Sequence, residues 1–201
     1  FEENPNEVSI STILESREPS IWRYAPLLAA PDPGFTATPL HQVGWTPVYQ
    51  PETLRKSLGM RELWIKDESR NPSASFKDRA SALVIARAVE ADIPTIIAAS
   101  TGNAGAAMAC MAASVGRQAV ILAPRSAPPA KVAQLLTFGA RVLLVDGSYD
   151  QAFELSIEAS RELGWYNRNT GYNPYTVEGK KTAGLEIWEQ VLQLRAKDAP
   201  N

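Results

Sequence analysis

From about residue 62 onward, the hydrophobic and polar residues of the chain follow two alternating patterns. Short runs rich in apolar and β-branched residues predict strands at positions 62–66, 95–99, 118–123, 141–145 and 165–167. Between these runs, apolar residues recur every three or four positions, which predicts helices over 75–91, 104–115, 128–138 and 148–163. A shorter helix is predicted at 54–58.

Cap and turn residues mark the ends of the predicted helices. Ser75 lies three residues before Asp78, which is the spacing of a capping box at a helix start. Ser148 and Gln151 repeat this spacing at the start of the last of these helices. Gly139 ends the helix before it, because glycine readily adopts the left-handed conformation that closes a helix.

The alternation of strands and helices predicts an α/β fold. Strands joined through helices at this spacing form right-handed crossovers, which makes the sheet parallel. We expect about four strands with helices on both faces, in one compact three-layer unit over residues 80–175. Ligands of such sheets bind beyond the carboxyl ends of the strands, where the turn at 100–103 is expected to lie. Residues 1–20 are polar and acidic and predict a loosely packed arm.

Composition and charge exclude several classes of function. The 201 residues are 45 % hydrophobic and 21 % charged, as in ordinary globular proteins. The formal net charge of −2 argues against binding to nucleic acid, and no apolar run approaches membrane-spanning length. The single cysteine, Cys110, excludes an internal disulfide and a thiolate zinc cluster, so we predict a reducing cytoplasm and no metal. His41, the only histidine, has no partner that the sequence identifies and is predicted at the surface.

The segment at residues 71–79 places a lysine where its charge is disfavoured. The Asn-Pro-Ser sequence at 71–73 predicts a turn, so Lys77 falls in the first turn of the helix that follows. A helix N-terminus carries partial positive charge and disfavours a cation by about 0.3–1 kcal/mol at exposed sites. Together with the neighbouring Arg79, this favours the neutral amine, which is the form that attacks aldehydes. A solvated lysine at a helix start is the alternative interpretation.

A second candidate site is the turn Ser100-Thr101-Gly102-Asn103-Ala104-Gly105, between a predicted strand and a predicted helix. Backbone N–H groups and two hydroxyls converge there, which is how helix N-termini bind a carboxylate or a phosphate. Gly102 lets the backbone approach a ligand closely, and Asn103 offers an amide that can donate to a phenolate oxygen. A strand–helix turn with an asparagine cap is the alternative.

Three stretches together resemble the pyridoxal-phosphate enzymes related to tryptophan synthase β, of fold type II, and among them most closely the threonine synthases. They are Ser75-Phe76-Lys77-Asp78-Arg79, the Ser-x-Gly-Asn of residues 100–103, and the Asn-Pro…Glu-Gly-x-Lys-Thr of residues 173–182. One predicted helix and one predicted strand separate the first two, as in that family. The resemblance extends over nearly the whole chain from about Ser20.

The resemblance implies a cofactor, pyridoxal 5′-phosphate, and roles for five residues. Lys77 would form the Schiff base with the cofactor and would then act as the catalytic acid and base. Asn103 would bond the 3′-oxygen of the cofactor ring, and the substrate carboxylate would be held by Ser100, Thr101 and Gly102. The implied reaction converts O-phospho-L-homoserine and water to L-threonine and phosphate. The partner is then a small-molecule amino acid, and the family suggests a homodimer.

Two positions depart from the threonine synthase pattern. Thr176 stands where these enzymes often have an arginine that helps to bind the substrate phosphate, and Ala104 replaces a hydroxyl residue that often follows the asparagine. These departures keep open a threonine or serine dehydratase, or another β-elimination or β-replacement enzyme of the same fold. A non-catalytic fragment or binding module is the third alternative. Lys180 and Lys181 are phosphate contacts or, as we favour, solvated residues at a helix start.

The resemblance also divides the chain into domains. Residues 1–79 would be an N-terminal arm and part of a large cofactor domain, 80–175 the small domain, and 176–201 a helix that returns to the large domain. In the family, a glycine-rich loop from the C-terminal half holds the cofactor phosphate, and no glycine follows residue 184 here. We therefore expect the N-terminal portion of a longer enzyme, inactive alone, with a linker at 198–201.

Overall fold

The computed structural model describes residues 10–197. Its helices are α1 (Ile10–Leu14), α2 (Glu52–Ser57), α3 (Lys77–Glu90), α4 (Asn103–Ser114), α5 (Pro129–Thr137), α6 (Tyr149–Leu163) and α7 (Tyr175–Lys197). Its strands are β1 (Val48–Tyr49), β2 (Ile65–Lys66), β3 (Thr95–Ala99), β4 (Gln118–Pro124), β5 (Arg141–Val145) and β6 (Tyr166–Asn167). Two 3₁₀ helices lie at Ile21–Leu27 and Glu68–Arg70. The first nine residues of the predicted arm and the predicted linker at 198–201 lie outside the described residues.

The predicted α/β fold is confirmed by a four-stranded parallel sheet in the order β5-β4-β3-β6. β3 pairs with β4 along its whole length, and β6 pairs with the other side of β3 at Ile96 and Ile97. The chain passes from β3 through β4 to β5 in one direction and then returns across the sheet to place β6. The strand order therefore reverses between β3 and β6.

Helices cover both faces of this sheet. On one face, Ile96 and Ile121 pack with α3 and α4 in the main hydrophobic core. On the other face, Ile97 and Val120 pack with Ala152 of α6. Successive residues of a strand point to opposite faces. A sheet buried on both faces therefore needs the continuous apolar runs that the sequence shows.

Helix α7 packs along α3 and holds the N-terminal segment in place. The two helices approach most closely at Gly179, where an added Cβ would lie 2.1 Å from the carbonyl oxygen of Arg79. In the 3₁₀ helix at 21–27, Arg23 and the hydroxyl of Tyr24 both donate hydrogen bonds to Glu189 of α7. Segments far apart in sequence are thus held together by buried hydrogen bonds and ion pairs as well as by apolar packing.

One predicted strand is much shorter in the structure. The alternating residues at 62–66 predict five residues of strand, but only Ile65–Lys66 is extended and paired, antiparallel to β1. A strand extends only as far as its partner pairs with it, and the partner strand β1 has two residues. The hairpin of β1 and β2 lies outside the parallel sheet.

The two predicted capping boxes have different outcomes. The box of Ser148 and Gln151 is confirmed at the start of α6. The box of Ser75 and Asp78 is wrong, because the helix begins two residues later, at Lys77, and the carboxylate of Asp78 binds Ser73 instead. The spacing was correct, but an earlier residue in the turn competes for the carboxylate.

The prediction that His41 lies at the surface is wrong. Its residue is 8 % exposed, and its ring stacks on Trp22 with 6.5 Å between ring centres. Its Nε2 lies 3.2 Å from Oδ2 of Asp32, in the same proline-rich loop. The conformation of the loop brings His41 and Asp32 together, and a periodic sequence pattern does not predict such a contact.

Within residues 10–197, none of the helices has the length and apolar character that crossing a membrane requires.

Candidate functional site

Three segments meet at the carboxyl edge of the sheet, beside the reversal of strand order. The turn after β3 leads into α4, and the segment after β6 leads into α7. Helix α3 also begins at this edge, because a short connection at 91–94 turns the chain from its end into β3. Ligands of open α/β sheets bind at such a reversal. The edge brings together the predicted site residues, Lys77 and the turn at 100–103.

Lys77 is the first residue of α3 and is half-buried. Its backbone N–H donates to Oγ of Ser75 at 3.0 Å, which fixes the start of the helix. Its Nζ lies 5.4 Å from the centre of the Phe76 ring. Nζ makes no hydrogen bond or ion pair with any other residue in the described part of the chain. The amine is therefore available to a ligand.

The turn that precedes Lys77 is closed by Asp78. Its buried carboxylate accepts hydrogen bonds from the backbone N–H of Ser73, at 2.7 Å, and from the Ser73 hydroxyl. Burial raises the pKa of Asp78, and the bonds from Ser73 act in the opposite direction. Within this turn Ala74 has a positive φ of 57°, a conformation that alanine rarely adopts. Strain of this kind is common where backbone positions a functional group.

Ser100 caps the next helix. Its residue is buried, and its Oγ accepts hydrogen bonds from the backbone N–H groups of Gly105, at 2.9 Å, and Gly102, at 3.3 Å. Ser100 therefore has a structural role, and its contact with the substrate carboxylate stays a prediction. The backbone N–H groups of Asn103 and Ala104 bind no acceptor within residues 10–197, as is usual for the first turn of a helix.

The rest of this turn is open to solvent. An added Cβ at Gly102 would have no atom within 4 Å, so a ligand can approach the backbone there. The side chain of Asn103 is exposed and makes no hydrogen bond to another described residue. Thr101, which precedes Gly102, is half-buried. The N-terminus of α4 therefore offers amide donors to an anion or to a polar ring substituent.

The segment after β6 adds Arg168, which the sequence analysis missed. Its residue is 1 % exposed, Nε donates to Oγ of Ser81, and Nη1 donates to Oγ1 of Thr170, both at 3.2 Å. Nη2 is buried and has no hydrogen-bond partner in the described structure. Burial lowers the pKa of Arg168 to about 10, against opposing effects of Tyr149 and Asp78. A charged residue directly after a predicted strand is the signal that would have identified it.

Lys180 belongs to the same group of cations. It is half-buried, in the second turn of α7. Burial lowers its pKa, and the positive charges of Arg168 and Lys77 lower it further. Lys180 directly follows Gly179, which packs against the backbone of Arg79 in α3, and Arg168 binds Ser81 of the same helix. Both residues therefore lie beside the first turns of α3, the helix that Lys77 begins. Lys181, by contrast, is exposed and pairs with Glu178 at 2.6 Å, as predicted for a solvated residue.

Arg79 is fully buried and serves the fold. Its guanidinium donates to both carboxylate oxygens of Glu186, at 2.6 and 2.8 Å, and to both oxygens of Glu68, at 2.7 Å each. Lys66 also pairs with Glu186, at 2.7 Å. The charge of Arg79 is compensated by these carboxylates, so the predicted influence of Arg79 on Lys77 is weakened. The network instead fixes α3 against α7 at the edge of the site.

Comparison with known proteins places this geometry in a family. The family described as pyridoxal-phosphate dependent enzyme matches residues 40–198. Threonine synthase of Methanocaldococcus jannaschii is 35 % identical over 192 residues, which are 95 % of this chain and 46 % of that protein. Threonine synthase of Methanosarcina acetivorans is 38 % identical over 179 residues, 89 % of this chain and 43 % of that protein. The chain thus spans less than half the length of these relatives.

Solved structures agree on the fold. The processed form of threonine deaminase isoform 2 from Solanum lycopersicum matches with a TM-score of 0.68 and 26 % identity, over 78 % of this chain and 43 % of that chain. Maize serine racemase matches with a TM-score of 0.69 and 28 % identity, over 78 % of this chain and 48 % of that chain. These similarities extend to the α/β fold and cover part of each larger structure.

Proposed function

Because the chain belongs to the family of pyridoxal-phosphate dependent enzymes, we propose that the whole protein containing it is a lyase of the threonine synthase type. The proposed reaction converts O-phospho-L-homoserine and water to L-threonine and phosphate. The observation that carries the proposal is the unpartnered amine of Lys77 at the same sheet edge as the open turn at 100–103. Identity of 35 % and 38 % to two threonine synthases supports this choice of reaction.

The residues at the sheet edge fit pyridoxal phosphate on the side of its ring. Lys77 offers a free amine to the aldehyde, and Asn103 offers an exposed amide to the ring oxygen. The turn at 100–102 offers hydroxyls and backbone to the substrate carboxylate. The chain spans less than half the length of the threonine synthases it matches, and we propose that a further part of the protein holds the cofactor phosphate. In this proposal, residues 80–175 form the small domain, and 1–79 and 176–201 belong to the large one.

Bound pyridoxal phosphate supplies an electron sink for a carbanion next to the substrate amino group. The chain's own residues then position the reactants and move protons. Lys77 would hold the cofactor aldehyde and, as a free amine, would transfer protons at carbon atoms of the substrate. The amide N–H groups at the start of α4 stabilise the substrate carboxylate, since a helix N-terminus favours negative charge.

We also propose a compartment and an assembly for this enzyme. A single cysteine, Cys110, is in keeping with a reducing cytoplasm, where a biosynthetic enzyme meets its small amino-acid substrate. Burial raises the pKa of the Cys110 thiol to about 11, so the thiol stays protonated and unreactive near neutral pH. A homodimer follows from the resemblance, and the molecular mass of the whole protein in solution tests it.

Phosphate release from O-phospho-L-homoserine tests the proposed reaction. With the whole protein and added pyridoxal phosphate, we expect phosphate and L-threonine to form in equal amounts. L-threonine and L-serine serve as alternative substrates in parallel reactions. Release of ammonia from either of them, with no phosphate from O-phospho-L-homoserine, would show that the proposal is wrong and that the enzyme is a dehydratase.

The dehydratase is the second candidate because of Thr176. Its residue is fully buried, and its hydroxyl donates to the carbonyl oxygen of Asn173 at 2.8 Å. The position therefore offers no positive charge to a substrate phosphate. The match to a plant threonine deaminase is in keeping with this alternative. The substrate comparison above separates the two reactions.

Replacing Asn103 with alanine is expected to weaken cofactor binding about two- to tenfold, because one hydrogen bond to the ring contributes about 0.5–1.5 kcal/mol. The free energy of unfolding should change by less than about 0.5 kcal/mol, since the side chain is exposed and makes no hydrogen bond within residues 10–197. Titration of the whole protein with pyridoxal phosphate, followed by absorbance, measures the affinity. Ser114→Ala, at the other end of α4, is the control. Equal affinities in the two variants would contradict the assigned role.

A further inference from the structure

Arg168 carries a buried charge that the fold leaves without a counterion. Three arginines are buried among residues 10–197. Arg23 pairs with Glu189, and Arg79 pairs with Glu186. No carboxylate of the described residues lies within ion-pair distance of Arg168. Since burying an unpaired ion costs several kcal/mol, a buried guanidinium without a carboxylate calls for another anion.

The hydrogen bonds of Arg168 do not supply that anion. Both of its acceptors are neutral hydroxyls, those of Ser81 and Thr170, and Nη2 has none. Asp78 is the nearby acid whose charge acts on Arg168, but its carboxylate is engaged by Ser73. The Nη2 donor and the uncompensated charge of the guanidinium are therefore available to a ligand.

Arg168 stands at the place where the fold favours a ligand. Its backbone N–H donates to the carbonyl oxygen of Ile97 in β3, so it directly follows the paired part of β6. This is the carboxyl edge, at the reversal of strand order between β3 and β6. Lys180 follows Gly179, which packs against the backbone of Arg79 in α3, and Arg168 binds Ser81 of the same helix. Lys77 is the first residue of that helix, so the three cations come from adjoining segments. Two of the three, Arg168 and Lys180, have no role in holding the cofactor under the proposed function.

We propose that Arg168 and Lys180 form a subsite for the phosphate group of an amino-acid phosphate ester, beside the amine of Lys77. This inference rests on the proposed function and names the residues that recognise its substrate. A phosphate ester carries close to two negative charges near neutral pH, which matches two cations better than a carboxylate does. Guanidinium groups bind phosphate oxygens through charge-assisted hydrogen bonds. The carboxylate end of the substrate has a separate place, at the N-terminus of α4.

The subsite would also assist the reaction. To convert the ester to L-threonine, the bond between Cγ and the ester oxygen must break, and both bonding electrons leave with the phosphate. Cβ gives up one proton and Cγ takes up one. A water molecule supplies the hydroxyl that adds to Cβ, and its remaining proton goes to the phosphate. Positive charge at the leaving oxygen stabilises the charge that develops there. The guanidinium of Arg168 thus takes over a task that Thr176, whose hydroxyl binds a backbone carbonyl, cannot perform.

The pH dependence of phosphate binding follows from the same cations. Burial together with the charges of Arg168 and Lys77 lowers the pKa of Lys180, and a bound phosphate would raise it again. Phosphate should therefore bind most tightly below the pKa of Lys180 in the free protein. The affinity should fall as the pH rises through that pKa, because the uncharged amine no longer attracts the anion.

The test compares two neighbouring lysines of α7 in the whole protein. Lys180→Met removes the proposed contact, whereas Lys181→Met removes an exposed lysine that pairs with Glu178. Arg168→Lys keeps a charge but loses the planar donor pair. Isothermal calorimetry with inorganic phosphate measures binding, and initial rates give the KM for O-phospho-L-homoserine. We expect both constants to rise at least tenfold in Lys180→Met and Arg168→Lys, and to stay within twofold in Lys181→Met.

Each outcome decides the inference. Equal phosphate affinity in Lys180→Met and Lys181→Met overturns the proposal. L-homoserine has the carboxylate of the substrate but no phosphate, so its affinity is measured as well. If Lys180→Met loses as much affinity for L-homoserine as for phosphate, the subsite binds a carboxylate and the proposal is also overturned. Because Arg168 is buried, far-ultraviolet circular dichroism checks that Arg168→Lys folds. If this variant does not fold, the result for Lys180→Met alone decides whether the subsite exists. Unchanged KM in Lys180→Met with normal phosphate release rejects the subsite but keeps the proposed function. Lys180-dependent phosphate binding without phosphate release supports the subsite and rejects the proposed reaction.

Discussion

Replacing Lys77 with alanine is expected to lower turnover of the whole protein by at least about 10²–10⁴-fold, the range that a positioned acid–base group contributes. The variant should also lose the visible absorbance of bound cofactor. Its folding should be retained, because Nζ of Lys77 makes no hydrogen bond or ion pair within residues 10–197. Steady-state rates, an absorbance spectrum and a urea unfolding curve measure these three quantities on one preparation.

A matched control exists for this substitution. Lys131 also lies in the first turn of a helix, α5, and is exposed. Lys131→Ala should leave turnover and absorbance within twofold of the unsubstituted protein. If Lys77→Ala behaved like Lys131→Ala, the amine would be an ordinary solvated lysine, and the assignment of the site would be wrong.

Replacing Gly179 with alanine is expected to destabilise the protein by more than about 3 kcal/mol, at or beyond the upper end of usual overpacking costs. The new Cβ would lie 2.1 Å from the carbonyl oxygen of Arg79 and 2.9 Å from Cα of Ala80. Both are backbone atoms, so no side-chain rotation relieves the clash and α7 must move away from α3. That movement also stretches the hydrogen bonds from Arg79 to Thr182 and Glu186.

Gly184 provides the opposite result in the same helix. An added Cβ there meets no atom within 4 Å, and the residue is exposed. Gly184→Ala should therefore stabilise the protein by about 0.5–1 kcal/mol, since alanine has the higher helix propensity. Urea unfolding of both variants measures the difference. A Gly179→Ala protein as stable as Gly184→Ala would show that the two helices do not touch as described.

The elements of the parallel sheet could be predicted because their burial is regular. Strands β3 and β5 occupy the predicted residues, 95–99 and 141–145, since each forms a short apolar run between turns. The hairpin was predicted poorly, because the two residues of β2 are defined by their pairing with β1 rather than by their own pattern. Helix starts also depend on competition for side chains, as Asp78 shows by binding Ser73.

The candidate site was predicted only where a local pattern carries it. Lys77 and Asn103 each follow a turn and open a helix, and the structure places both at one edge of the sheet. Arg168 directly follows a predicted strand, which marks its position at the sheet edge, but the unpartnered nitrogen that makes it important is a tertiary feature that the sequence does not show. The compensation of Arg79 by Glu186, over a hundred residues later in the chain, is likewise a tertiary contact without a sequence signal.

The most direct test of the account is the identity of the amine that holds the cofactor. The whole protein is saturated with pyridoxal phosphate and treated with borohydride, which fixes the cofactor to its lysine, and the peptides are then analysed by mass spectrometry. We expect the label on Lys77 alone, in the peptide that begins after Arg70 and contains Phe76. A label on Lys180 or on another lysine, with Lys77 unmodified, would contradict the account.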